Sequence, residues 1–340
     1  MAEHSKPNFG VLLPTREAVM SGRSDPTALF ELAERAEALG FHSVWVGDSL
    51  TARPRIDALT TLAAVGARTR RVRLGTAIFL AALRHPILLA YQLASLDWIT
   101  GGRIDLGVGY GRPKEPAAEH EFQILGLDPS ARMKMSEELV QVMRRLWREN
   151  DVSHAGQFTR FEHVTLEPKP VQPGGVPIWL ASNDVEPGLK RVGKLADGWL
   201  NNIKSPESYR VCWEKIRSYA ADAGRDPNSI HPGCYFTLRL PKGKPFSPSI
   251  TTAPTKRWRI PCFASPAPGT RSSTGWKNIW MRARAALFCA SPRAISSQPS
   301  TPAPKRSRGA DYLGKLLILL KPNRARSYSS GYKKVTSPSP

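Results

Sequence analysis

Residues 103–111 read RIDLGVGYG and follow the pair Gly101-Gly102. Gly107, Gly109 and Gly111 take alternate positions at the end of an apolar run, although glycine costs a strand backbone entropy and offers its neighbours nothing to pack against. A dinucleotide-binding turn would need G-x-G-x-x-G opening a helix. Here the spacing is G-x-G-x-G, and the following Arg112-Pro113-Lys114-Glu115-Pro116 keeps a helix from starting at once. The stretch therefore reads as a buried parallel strand, Ile104 to Val108, running into a loop. Its glycines mark either a structural bulge or the close approach of a flat ligand to bare backbone.

Working outward, the same type of strand recurs. FGVLLP (9–14), HSVWVGD (42–48) and RVRLGTAIFL (71–80) precede it; VPIWLAS (176–182), GWLNN (198–202) and GCYFTLRL (233–240) follow. Helical periodicity lies between them: from Asp25-Pro26 to Gly40, with Asp25 as cap, from Asp57 to Ala67, from Pro86 to Ile99, along Met135 to Trp147, from Glu186 to Ala196, and after Ser205-Pro206. Residues 151–176 form an aromatic- and proline-rich insertion that reads as a hairpin and loop. Seven strands, most of them apolar throughout, alternating with helices predict a parallel sheet covered on both faces; seven is one short of a (β/α)8 barrel. The polar and glycine residues gather at the strands' C-terminal ends, where such a fold keeps its ligand: Asp48-Ser49, Thr76 to Ile78, Gly107 to Arg112, Ser182 to Asp184, and Asn201-Asn202. An open doubly wound sheet would place a site at the same ends.

Composition narrows the class. The chain has 340 residues, 41% of them apolar, enough for a sizeable core. MAEHSKPNFG lacks an apolar leader, and LLILL (316–320) is far shorter than the roughly 20 residues of a membrane helix, so no membrane role is expected and the expected location is the cytoplasm. Cys212, Cys234, Cys262 and Cys289 match no zinc or compact disulfide spacing, and the seven histidines no metal-ligand motif. The charge is unevenly placed: residues 246–340 carry 17 Lys and Arg against the single acid Asp311, whereas residues 1–245 carry 32 bases and 27 acids.

The segments AEALGFHSVWVGD (36–48), RVRLGTAI (71–78), RHPILLAYQLASLD (84–97), GGRIDLGVGYG (101–111), LEPKPVQP (166–173) and ADGWL (196–200) resemble, in order and spacing, the luciferase-like flavin and deazaflavin oxidoreductases. The resemblance covers about residues 8–240. It implies a TIM barrel binding reduced FMN, or the deazaflavin coenzyme, in its C-terminal mouth, with the flavin carrying the redox chemistry and the protein supplying position and exclusion of water. It implies a monooxygenase using FMN and O2 on a small organic substrate, with a flavin reductase as the source of reduced flavin and a homodimer as the assembly. The alternatives are deazaflavin-dependent hydride transfer and a noncatalytic remnant.

Carried over by position, Ala77-Ile78 corresponds to a non-proline cis peptide backing the ring, with Thr76 before it; Gly107 and Gly109 would let the backbone lie close to the ring, with Tyr110 beside them. Ser182, Asn183 and Asp184 correspond to the phosphate end, where a helix N-terminus suits an anion, although Asn183 or Asp184 could equally be an ordinary cap. Asp48 ends the second strand where many relatives follow the acid with histidine; here Ser49 follows. His85 is a further candidate at the mouth or, beside Pro86, a helix cap. Arg112 stands where some deazaflavin-dependent relatives place glutamate.

Two domains are expected: a barrel domain over 1–245, and a basic tail over 246–340 rich in Ser, Pro and Arg. The tail supplies no clear eighth strand; only 277–289 and 313–320 have apolar density. It reads as disordered, or as the product of a shifted reading frame, leaving the first and seventh strands as open edges. Binding of nucleic acid by the tail is a weaker expectation, because its aromatic residues are not interleaved with its bases.

Overall fold

The apolar segments become strands because each has two faces to bury, one toward the barrel axis and one toward the helices. A computed structural model of the protein describes residues 8–22, 24–203, 205–239 and 313–319. Seven parallel strands run in the order expected: β1 (Asn8–Leu12), β2 (Ser43–Val46), β3 (Arg73–Thr76), β4 (Ile104–Val108), then, after the antiparallel hairpin of β5 (Val152–Ala155) and β6 (Arg160–Val164), β7 (Ile178–Ala181), β8 (Gly198–Leu200) and β9 (His231–Arg239). The helices between them are α1 (Thr15–Met20), α2 (Thr27–Ala38), α3 (Ala58–Arg68), α4 (Pro86–Thr100), α5 (Pro116–Gln123), α6 (Arg132–Arg148), α7 (Glu186–Leu195) and α8 (Pro206–Asp222).

The ring closes, and the closure comes from the tail. β10 (Leu313–Leu319) lies between β9 and β1, antiparallel to both, with Leu313 opposite Arg239 and Leu319 opposite Asn8. The edges expected to stay open on β1 and the seventh strand are therefore paired, which satisfies their backbone N–H and C=O groups. The apolar run of 313–320 is the part of the tail dense enough in β-compatible residues to do this. The remainder of the tail, 277–289 included, lies outside the described residues.

Outward-facing Val44, Val46, Leu74, Ile104, Leu106, Ile178 and Leu180 are buried against Leu62, Val65, Leu89, Leu93, Leu139, Met143 and Ile216 of the helices. The inward face is filled by two indoles. Trp45 and Trp179 meet edge to face with centroids 6.0 Å apart, and Leu200 completes their cluster. Their bulk explains two glycines: a Cβ on Gly75 would lie 2.3 Å from the Trp45 ring, and one on Gly198 2.2 Å from the Trp179 ring. Below the indoles, Arg73 makes a two-pronged pair with Asp105, which also accepts a hydrogen bond from Trp179 Nε1 at 3.3 Å. This polar floor lies at the strands' N-terminal ends, away from the mouth.

Helix ends largely match their sequence signals. Asp57 accepts a hydrogen bond from Thr60 N at the start of α3, and Ser205 does the same for Ser208 N at α8. Gly101 and Gly102 end α4 with φ of 68° and 80°, a left-handed turn that glycine adopts without steric cost. Asp25 caps one residue early: its carboxylate accepts from Thr27 N, and Pro26 holds the cap position of α2. Among the described residues no helix is long and apolar enough to cross a membrane.

Candidate functional site

At its upper end β3 leaves the ladder. Leu74 and Gly75 pair with β4, and the contact resumes only at Phe79 opposite Val108. Between them the chain bulges, and the Ala77-Ile78 peptide is cis, as the resemblance implied. The bulge keeps its backbone satisfied on both sides. Toward β2, Ala77 N donates to Val46 O and Asp48 N to Ile78 O; toward β4, Phe79 N donates to Gly107 O and Gly109 N to Phe79 O. The Thr76 hydroxyl accepts from Gly107 N at 2.9 Å and donates to Gly107 O at 3.0 Å, standing in for the missing strand contact.

The bulge gives Gly107 and Gly109 a packing reason. A Cβ on Gly107 would lie 2.0 Å from Thr76 O, and one on Gly109 2.4 Å from the Ile78 side chain. Both glycines make room for the bulge, which is the structural alternative left open by the sequence. Thr76, likewise, spends its hydroxyl on β4. What stays accessible is the bulge itself. From Leu74 to Leu83 every residue is buried except Ala77 and Ile78, which are partly exposed. Leu12, Ala181 and Tyr235 pack around the same indole-floored cluster.

Asp48 is buried, and its carboxylate accepts from Leu80 N at 3.0 Å and from both terminal nitrogens of Arg84 at 2.8 and 2.9 Å. Burial raises its pKa, against the opposing pull of Arg84. Arg84 also lies 4.4 Å from the centre of the Phe79 ring. The pair thus clamps the chain just beyond the bulge. Ser49 donates to the buried carboxylate of Glu121 at 2.7 Å and accepts from Arg53 N. The same Glu121 oxygen accepts from Thr51 N and Ala52 N, so α5 holds the loop after β2. His85 occupies the cap position of α4, but it is exposed and its side chain makes no capping bond.

At the end of β4, Tyr110 lies under the Arg191 guanidinium, 5.4 Å from its ring centre, and Arg191 is paired with Glu137. Burial pushes the Tyr110 phenol up to about 12, against the pull of Arg191. Ser182 turns its hydroxyl toward Gly188 of α7, where a Cβ would lie 2.2 Å away, and donates to Asn183 O. Asn183 accepts from Asn202 N at 3.1 Å and joins the ends of β7 and β8. Neither Asn183 nor Asp184 caps α7, whose cap is Val185. Asn201 donates to Gly233 O and is buried. Exposed Asn183, Asp184 and Arg112 stay on the rim.

Sequence reasoning missed Arg84, Glu121, Arg191 and Arg55. A guanidinium nitrogen of Arg55 lies 1.9 Å from where a Cβ on Gly47 would be. Trp45 faces the barrel axis and Gly47 shares its parity, so Arg55 enters the mouth above the indoles. The signal was available: an inward-facing glycine at a strand end implies that another group fills its place. The arrangement suits a flat, largely apolar molecule lying on the exposed bulge, with one cationic group at its edge. These features fit a flavin-type ring, which is planar and becomes anionic when reduced and deprotonated.

A sequence model described as luciferase-like monooxygenase matches residues 7–240. The chain is 32% identical over 160 residues to the oxygenase component of a flavin-dependent trigonelline monooxygenase from Acinetobacter baylyi, covering 46% of this chain and 43% of that one. It is 34% identical over 211 residues to an F420-dependent glucose-6-phosphate dehydrogenase from Nakamurella multipartita, covering 59% and 60%. Among solved structures, the monooxygenase RslO1 from Streptomyces bottropensis is similar with a TM-score of 0.57 and 30% identity over 66% of this chain and 69% of that one. The chain thus spans less than two thirds of the length of these two curated relatives.

Proposed function

The chain belongs to the luciferase-like monooxygenase family, and on that premise we propose that it is a flavin-dependent monooxygenase taking reduced FMN and O2 to a small organic substrate. The observation that carries this is the bulge: in a run of otherwise buried residues, Ala77 and Ile78 alone are left partly open, at the mouth of a barrel floored by Trp45 and Trp179. FMN, when bound and reduced, would supply the electrons and the reaction with oxygen. The chain's residues do the rest. Ala77 and Ile78 support one face of the ring, and Leu12, Ala181, Leu200 and Tyr235 give the pocket apolar walls that limit water. Asp48 and Arg84 hold the support in place.

We place the phosphate end at Ser182, Asn183 and Asp184, in the loop between β7 and α7, with Tyr110 and Arg191 on its flank. The similarity to an oxygenase component supports a separate flavin reductase as partner. The exposed Leu88, Tyr91, Trp98 and Ile99 along α4 support a second copy of the chain as the assembly partner.

A second cofactor reading is favoured by the similarity to an F420-dependent dehydrogenase: hydride exchange with a deazaflavin, without oxygen. One experiment separates the two. The purified protein is titrated with FMN and with the deazaflavin coenzyme, following the visible absorbance, and oxygen uptake is then followed with a flavin reductase and NADH. Saturable FMN binding with reductase-dependent transfer of oxygen to a substrate is expected. Saturation by the deazaflavin alone overturns the FMN reading.

A further inference from the structure

Among the described residues the Arg55 side chain, at the mouth, makes no ion pair within salt-bridge distance. Its neighbours each have one: Arg53 pairs with Glu115 and Arg84 with Asp48. Arg55 donates from Nε to Arg53 O at 3.2 Å, and among the described residues no carboxylate lies within salt-bridge distance of it. Asp48 and Glu17 act on it at longer range, and Arg16 and Arg53 oppose them. Asp48 already accepts three hydrogen bonds, from Leu80 N and both terminal nitrogens of Arg84. The position is built rather than accidental: Gly47 is the residue whose missing side chain admits the guanidinium, with Ala77 O 3.7 Å from the same point. A partly buried cation without a counter-ion is costly, and a planar guanidinium beside a planar backbone shelf presents its donors to a flat or forked anion.

We propose that Arg55 is the anion-recognising residue of the barrel mouth, taking a delocalised negative charge on the molecule bound there. Three sources share that chemistry: the ring of a reduced flavin, the flavin's phosphate, and a carboxylate on the substrate. The first two rest on the flavin reading; the third does not.

The test uses the full-length protein and its Arg55→Met and Arg55→Lys variants. Three probes are titrated anaerobically: oxidised FMN, photoreduced FMN and sodium benzoate. Loss of a charge-assisted contact is expected to weaken at least one probe by about tenfold or more in Arg55→Met, with part of the affinity kept in Arg55→Lys. A loss confined to reduced FMN assigns Arg55 to the ring, an equal loss for both oxidation states assigns it to the phosphate, and a loss for benzoate alone assigns it to the substrate. Unchanged binding of every probe that the parent protein binds, in an Arg55→Met variant that melts at the parent temperature, overturns the proposal. So does failure of the parent to bind any of the three. Should Arg55→Met not fold, Arg55→Lys with a shortened reach and the same charge carries the comparison, and binding equal to that of the parent for every probe counts against a forked contact. Failure of the parent to bind FMN in either state overturns the flavin reading alone, since benzoate still reports on Arg55.

Discussion

Gly107 and Gly101 show how two glycines a few residues apart answer to different physics. Gly107 has ordinary backbone angles and no room; Gly101 has a φ of 68° and nothing within 4 Å of an added Cβ. Gly107→Ala must push Thr76 O and the bulge aside, so a stability loss of about 3 kcal/mol is expected, at the upper end of overpacking costs, together with loss of cofactor binding. Gly101→Ala pays only for the left-handed conformation, about 1 kcal/mol, and should leave binding intact. Thermal unfolding alongside an FMN titration checks both. Arg84→Met strands the buried Asp48 carboxylate, and the melting curve should show a loss of about 3–5 kcal/mol; Asp48→Asn, which keeps an acceptor for Leu80 N, should lose less. If Asp48 were instead a free acid at the site, activity would fall in Asp48→Asn without a change in melting temperature.

The candidate site was only half legible at this scale. The cis peptide, and the gathering of Asp48, Ala77, Gly107 and Asn202 at one end of the barrel, follow from strand order and from the resemblance. The partners that occupy them do not. Arg84 reaches Asp48 and Glu121 reaches Ser49 across 36 and 72 residues, and no local pattern encodes which charged group turns inward. His85 illustrates the reverse, a chemically suggestive residue that the fold leaves exposed.

At the scale of elements, α2 is tied to the start of β3 by one side chain. Glu37 accepts from the N–H groups of Arg70, Arg71 and Val72. Burial pushes its pKa up, but the bonds from Val72, Arg71 and Arg70 outweigh this and hold it below the usual carboxylate range. A lowered pKa in the folded state means that the contribution is complete above the unfolded glutamate value, about 4.3, and fades as pH falls through the lower folded value. Glu37→Gln should therefore cost about 1 kcal/mol at neutral pH and nearly nothing in strong acid, read from urea unfolding at several pH values. α4 carries a different message, since Leu88, Tyr91, Trp98 and Ile99 face outward. On the proposal that two copies pair through this face, replacing Trp98 and Ile99 together with serine should lower the sedimentation coefficient to that of a single chain, and an unchanged coefficient would count against α4 as the interface.

Long apolar-periodic elements were easy to read. α4, α6 and α8 begin at or near their expected residues, because Pro86, the apolar stripe and Ser205 act locally. The short α1 and α5 were not anticipated. α1 has six residues and α5 eight, one or two turns each, and so little helix is held by tertiary contacts such as Glu121 with the loop after β2 rather than by its own pattern.

For the whole molecule, the parallel barrel was legible from alternation, and its closure was not. Sequence periodicity can identify 313–319 as apolar, but it cannot tell which way a strand will run between two open edges. A chain ending after Arg239 would leave the edges of β1 and β9 that face β10 unpaired, and it should associate or precipitate on size-exclusion chromatography, where the full chain elutes as a defined species. Recovery of a well-behaved truncated protein would show that closure is dispensable.

The reversed direction of β10 has a topological consequence. β9 reaches the rim at Arg239, and β10 sets out from the same rim at Leu313, directly opposite it in register. A parallel strand there would have required a connection back down the outside of the barrel; an antiparallel one needs only a tight reversal. Asn-Gly spliced between Arg239 and Leu313 would supply that reversal as a two-residue hairpin. Such a covalent shortcut would give a smaller protein in which the ring stays intact and everything between those two residues has been dispensed with.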